Sequence, residues 1–120
     1  MDEKTIREID TACRRCYEVC RQTLTHSVVS VKSMNENHLR LLLDCAGSCV
    51  AASEIIRLRP DLFRDECQRC AVACRNFGHC CEGEYFNDGL INECVSECQR
   101  CAEICEEIAV SSEAQHAAHR

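Results

Sequence analysis

Four cysteines, Cys94, Cys98, Cys101 and Cys105, recur within one short stretch at i, i+4, i+7 and i+11. On a 3.6-residue helix these positions stack along one face. Leu or Ile normally occupies a stripe of this kind and packs it into a bundle core. Here the stripe is sulfur, so whatever core the chain builds must accept thiols where hydrocarbon is usual.

The same pattern recurs. Cys13-Arg-Arg-Cys16-Tyr-Glu-Val-Cys20, Cys67-Gln-Arg-Cys70-Ala-Val-Ala-Cys74 and Cys98-Gln-Arg-Cys101-Ala-Glu-Ile-Cys105 share C-x-R-C-x-x-x-C. Cys45 and Cys49 form a shorter pair at helical spacing, and Cys80 and Cys81 bring the total to 14. Ile, Leu, Val and Phe together make only about a fifth of the 120 residues, near the level at which a hydrophobic core becomes marginal. Cysteine must therefore supply much of the interior, which a free thiol can do as a small hydrophobe.

One Pro, four Gly and no Trp favour long helices over a turn-rich β fold. Helix one is expected from about Glu3 to Val31, with Asp2 as N-cap. Ser33 and Glu36 form a capping box, with Asn35 as a rival cap, and open helix two, about Asn35 to Arg59. Pro60 disfavours helix at Arg59 and suits the first turn of helix three, which runs to about Glu82 with Gly83 as its C-terminal cap. Asn87 or Asp88 caps helix four, which is expected to fade after Val110. Four helices with short connections predict an all-α, antiparallel up-down four-helix bundle with a cysteine-lined core, spanning residues 1–110, and a polar tail over 111–120. The sulfur stripes then converge near mid-height.

An even cysteine count invites a disulfide framework. The opening Met1-Asp2-Glu3-Lys4-Thr5 has no apolar signal region, and neighbours at i and i+4 on one helix run alongside each other and bridge poorly. Reduced thiols in a cytosol are expected. The net charge of -6 disfavours nucleic acid, and no apolar run is long enough to span a bilayer.

Thiolates select Cu(I), Zn(II) or iron–sulfur clusters. Four thiolates around Zn(II) carry a formal charge of −2, and several such sites would leave uncompensated charge in a core poor in donors. Cu(I) replaces one thiol proton by one positive charge, so a 1:1 ratio of metal to cysteine keeps the core neutral. Structural zinc usually takes paired loop cysteines, and the C-x(2)-C-x(2)-C-x(3)-C run of bacterial ferredoxins is absent. The spacing thus favours many Cu(I) ions bound by Cys13, Cys16, Cys20, Cys45, Cys49, Cys67, Cys70, Cys74, Cys80, Cys81, Cys94, Cys98, Cys101 and Cys105. Cys80, beside Cys81, is divided between a ligand role and an outward-facing one. In an antiparallel bundle His26, Met34, His38 and His79 fall near one mouth, where imidazole and thioether are suitable ligands for copper moving in or out; capping or surface roles are the alternative for each histidine. His116 and His119 fall in the tail. Arg15, Arg69 and Arg100 are expected in salt bridges on outer faces. Leu41, Leu43, Ile55, Ile56 and Leu58 lie partly off the cysteine stripe and suit helix contacts or an oligomer interface. No nucleophile–base constellation stands out, so no turnover is expected. A zinc or mixed soft-metal sink, an iron–sulfur or thiol redox protein, and a metal-dependent scaffold are the rival readings.

The repeat, the block His38-Leu-Arg-Leu-Leu-Leu-Asp-Cys45-Ala-Gly-Ser-Cys49 and the Cys94–Cys105 block resemble the cysteine-rich four-helix-bundle copper storage proteins of the cytosolic branch. The resemblance covers roughly residues 10 to 110. It implies Cu(I) sequestration inside each bundle and assembly into homo-tetramers; a copper-donating or copper-accepting protein is a further candidate partner. Three positions depart from the family ladder: Phe77 stands where another Cys is expected, Ser27 where some relatives carry Cys, and Phe63 where His is common.

Overall fold

The computed structural model describes residues 2–29, 34–83 and 88–118, the last nine of these and residues 28 and 29 by backbone alone. Helix α1 spans Glu3–Val29, α2 Glu36–Leu58, α3 Phe63–Cys80 and α4 Gly89–Ala118. No helix among the described residues is long and apolar enough to cross a membrane.

Local chemistry sets the helix ends. Asp2 Oδ1 accepts the Thr5 amide at 2.8 Å, and Asn35 Oδ1 accepts that of Asn37 at 2.8 Å, each supplying an acceptor to an otherwise orphaned N–H. Asn35 is thus the α2 cap; its rival Ser33 lies outside the described residues, as does Asn87. Asp88 Oδ1 caps α4, accepting from Leu90 and Ile91 at 3.1 and 3.0 Å. Arg59 leaves the helical region (φ −137°, ψ 71°) ahead of Pro60, as the proline ring requires. Pro60–Leu62 then forms a separate 3₁₀ turn and α3 proper starts at Phe63, a common tightening at a helix start. The α3 helix stops at Cys80, two residues earlier than its sequence suggests. The Glu82 amide turns back to His79 O at 3.3 Å, and Gly83 takes φ 72°, a left-handed conformation that costs glycine least. The α4 helix continues beyond Val110 to Ala118. Residues 111–118 contain no Gly or Pro, and Glu113, Ala114, Gln115, Ala117 and Ala118 favour helix.

Sulfur contacts fix the register. Cys20 meets Cys45, Cys45 meets Cys74, Cys70 meets Cys101, and Cys16 meets Cys98, so chain-adjacent helices are antiparallel and α4 closes back on α1. Helices α1 and α3 lie on one diagonal, α2 and α4 on the other. Continued by the 3-and-4 residue alternation of the buried stripe, this register stacks layers along the bundle. Ile9, Ile56, Phe63 and Cys105 form one end layer. Cys13, Ala52, Cys67 and Cys101 come next. Two levels of cysteine follow, Cys16 with Cys49 and Cys70, then Cys20 with Cys45 and Cys74, and the α4 cysteines are staggered between levels: Cys101 meets Cys70, and Cys98 meets both Cys16 and Cys20. Beyond them Thr23, Leu42, Phe77 and Ile91 make an apolar layer, and Ser27, His38 and Cys81 lie at the far end. All of these are buried except Phe63 and His38, which are half-buried.

Ile56 belongs to this core at 1% exposure, contrary to its expected place off the stripe: it is seven residues, two full turns, beyond Cys49. Leu43 and Leu58 do face outward, at 58% and 74% exposure. Ile9, Leu42, Ile56, Phe77 and Ile91 contribute about 1.5–3 kcal/mol each by burial and bracket the sulfur layers. Asp10 adds a polar tie between α1 and α2, accepting from the Ser53 hydroxyl and pairing with Arg14 at 3.1 Å and Arg57 at 3.9 Å.

Candidate metal centre

Eleven cysteines form overlapping clusters in which every Sγ lies within 4.8 Å of the others in its group. Cys13, Cys70, Cys101 and Cys105 make the first. Cys101 is shared with Cys16, Cys49 and Cys74; Cys16 and Cys74 recur with Cys45 and Cys98; Cys98 recurs with Cys20 and Cys94. Each cluster passes at least one sulfur to the next, giving one ladder along the bundle axis. Neighbouring Sγ atoms stand 3.4 to 4.0 Å apart. The rungs cross the axis itself: Cys16 and Cys74, and Cys45 and Cys98, approach from diagonally opposed helices. Cys67 joins from the side, where Cys105 is its strongest neighbour. All fourteen thiols are unbridged.

Every ladder cysteine is 0–1% exposed. Crowding and burial push most of these thiols up in pKa. The Cys101 thiol, ahead of burial, raises Cys49 and Cys70, and the Cys16 thiol raises Cys98. A few are drawn the other way by the same crowding. Contacts with Cys20 and then Cys98 hold Cys94 down to about 4, against its burial. The ladder thus holds most protons while favouring thiolate at selected positions, and each proton is exchangeable for a monovalent cation without change of net charge.

A second group stands apart. His38, Cys80 and Cys81 offer an imidazole and two thiols within 4.8 Å of one another, and share no residue with the ladder clusters. Cys81 is buried and Cys80 half-buried, with Cys80 Sγ 3.1 Å from Phe77 O and 3.8 Å from Cys81 Sγ. Cys80 therefore turns toward its neighbour rather than out to solvent. Met34 is buried at 4% exposure. The other two histidines expected at this mouth go elsewhere. His26 Nε2 pairs with Asp88 Oδ2 at 3.0 Å, bracing α1 against the start of α4. His79 is 70% exposed and faces Glu82 at 3.4 Å. Two residues before Cys81, it lies about 200° around the helix from it. His116 and His119 are not among the side chains described.

Ser27 has a fully enclosed Oγ with no hydrogen-bond partner among the described residues. Its burial falls where a relative's cysteine was expected. Of the repeated arginines, Arg69 pairs with Glu66 at 2.6 Å as anticipated. Arg15 and Arg100 instead line an open groove between α1 and α4, together with Lys4, Arg7, Glu8 and Glu97.

Solved structures share this architecture. A double histidine-to-alanine mutant of Streptomyces lividans Ccsp superimposes with a TM-score of 0.81 at 20% identity, covering 92% of this chain and 97% of that one. A cytosolic copper storage protein from Streptomyces lividans carrying five coppers gives 0.80 at 20% identity, over 89% and 93% of the two chains. No curated protein sequence matches significantly. The family model described as copper storage protein matches residues 2–110, and the chain belongs to that family.

Proposed function

We propose that this chain stores Cu(I), holding many ions per bundle on the thiolates of its sulfur ladder, and turns over no substrate. The overlap of the clusters carries the reading. A sulfur shared between two groups suits a cation that needs few ligands and tolerates bridging thiolates, whereas separate four-thiolate Zn(II) sites would each bring a net charge of −2 into a core poor in compensating donors. The ligands are Cys13, Cys16, Cys20, Cys45, Cys49, Cys67, Cys70, Cys74, Cys94, Cys98, Cys101 and Cys105. Met34 and His38 stand where copper would pass between ladder and solvent, with His26 and His79 flanking that end on its outer surface. The bundle over residues 1–110 is the binding unit and 111–120 an appendage. A reducing cytosol suits fourteen free thiols, and the likeness to a cytosolic copper storage protein supports the same placement. The family resemblance supports assembly as a homo-tetramer, and a store of this kind would exchange its ions with a copper-donating or copper-accepting protein.

Anaerobic titration of the reduced, metal-free protein with Cu(I) against a chromophoric chelator tests the reading. Uptake approaching one ion per ladder cysteine is expected, of order ten per chain by charge balance. Saturation at one or two ions would overturn it.

A further inference from the structure

We propose that His38, Cys80 and Cys81 form a second, chemically separate site that takes one borderline divalent cation of the Zn(II) class at the mouth of the bundle. The proposal rests on the storage reading for the ladder and extends it to a different metal at a different place.

Separation comes first. Between the last level of cysteine and this group lies the layer of Thr23, Leu42, Phe77 and Ile91, each 0–2% exposed. Its one polar atom, Thr23 Oγ1, is engaged with Val19 O at 2.7 Å. Cys81, the residue capping the end of α3, is seven residues beyond Cys74, about 10 Å along the axis, and the intervening stripe position is Phe77. Among the described residues no thiol lies in the layer of Thr23, Leu42, Phe77 and Ile91, and the His38 group shares no thiol with the ladder clusters, so a cation at His38 does not belong to the ladder's shared-thiolate network.

Charge then selects the ion. Two thiolates and a neutral imidazole around a dication give a neutral complex, and its formation releases two thiol protons to solvent. Cu(I) on the same three ligands leaves one negative charge, or one thiol still protonated. The arithmetic that excludes Zn(II) from the ladder therefore favours it here. The donor set also fits: imidazole and thiolate are ordinary zinc ligands, and tetrahedral bonds of 2.3 Å to two sulfurs place them about 3.8 Å apart, the separation of Cys80 and Cys81 Sγ being 3.8 Å. Half-burial of His38 and Cys80 leaves a fourth position open to water. Ser27 is level with His38 in the register that pairs Cys20 with Cys45. Its buried hydroxyl, unpartnered among the described residues, is a hydrogen-bonding group at the height where that water would sit. A zinc ion at this end would also cap the mouth, so copper would load more slowly into the zinc form than into zinc-free protein.

The test uses the full chain, reduced and anaerobic, titrated with Zn(II) against a chromophoric chelator and, separately, with Co(II) as a spectroscopic stand-in. One equivalent is expected to bind, with sulfur-to-cobalt charge-transfer absorption and the visible bands of tetrahedral Co(II). Cys80→Ser and His38→Ala should each weaken it by at least about 100-fold, with far-UV circular dichroism unchanged because both side chains are partly exposed. Cu(I) added to the one-zinc protein should fill the ladder before zinc is released. No zinc uptake, uptake that survives both substitutions, or zinc expelled by the first equivalent of Cu(I) would each overturn the proposal. The Cu(I) capacity of zinc-free protein is measured independently, so failure here and failure of the storage reading are distinguishable.

Discussion

Cys45 on α2 and Cys98 on α4 bring their Sγ atoms to 3.5 Å although their helices stand on a diagonal of the bundle. Diagonal side chains meet at the axis only where no larger residue fills it, so the centre of this core is sulfur throughout the cysteine layers. Sharing of ligands follows from that geometry, and it makes individual cysteines unequal. Cys16 and Cys101 each belong to two clusters, whereas Cys67 belongs to none and touches the ladder through Cys105. Cys16→Ser or Cys101→Ser should lower Cu(I) capacity by about two ions, and Cys67→Ser by about one at most, because a bridging thiolate serves more than one metal. Anaerobic titration of the three variants checks the ranking; equal losses would show that sulfur sharing does not govern capacity.

Alkaline pH should separate the empty from the loaded protein. Hydrogen bonding to Cys105, and then burial, raise the pKa of Cys67 well above that of an unfolded thiol, near 8.5. A group protonated in the fold but titrating in the unfolded chain contributes stability that is complete below the unfolded pKa and lost as pH rises above it. Each such thiol removes up to about 1.4 kcal/mol per pH unit beyond roughly pH 8.5. Copper loading has already removed those protons, so the loaded form should be far less sensitive. Urea midpoints at pH 7 and pH 10, with and without Cu(I), measure the difference.

Much of this was legible in the sequence because helical periodicity reports which residues share a face. The stripe through Cys94, Cys98, Cys101 and Cys105, the Asp2 cap, the candidacies of Asn35 beside Ser33 and of Asp88 beside Asn87, and the break at Pro60 all depend on local spacing or local backbone chemistry. What escaped depends on rotation about an axis or on partners distant in sequence. His26, His38 and His79 share one end, but only His38 turns toward Cys80 and Cys81, whereas Asp88 and Glu82 engage the other two. Phe77 was visible as a departure from the ladder. That it joins Leu42, Ile91 and Thr23 in one level, closing the sulfur core off from the mouth, needed the register of all four helices. Ile56 was misplaced because its adjacency to Ile55 hid its two-turn spacing from Cys49.

The Phe77 layer makes a prediction of its own. Phe77 is the largest fully buried side chain among the described residues, and truncation to Ala should destabilise the metal-free protein by about 3–5 kcal/mol through lost contact and the cavity left behind. Phe77→Cys loses less volume and places a thiol between Cys74 and Cys81, joining ladder and mouth. Its Cu(I) capacity should rise by about one ion and its loading should quicken, as stopped-flow absorbance would record. Unchanged capacity and rate in a folded Phe77→Cys protein would mean that this layer does not divide the core.

Asp88 ties the mouth together. One carboxylate oxygen caps α4 through the Leu90 and Ile91 amides and the other meets His26 Nε2 at 3.0 Å. The Ile91 amide, with lesser help from His26 and against partial burial, lowers the carboxyl pKa. A carboxylate favoured in the fold contributes stability that is present above the unfolded value, near 3.9, and is lost as pH falls through the lower folded pKa. Asp88→Ala should therefore cost about 1 kcal/mol at pH 7, the usual worth of an N-cap, and progressively less below about pH 4. Asp88→Asn keeps the cap and gives up only the negative charge of the carboxylate, so it should recover most of that loss at pH 7 and depend less on pH than the parent. Denaturation midpoints of the three proteins at pH 7 and pH 3 decide the matter: a cost for Asp88→Ala that is as large at pH 3 as at pH 7 would show that the ionised carboxylate is not what secures the start of α4.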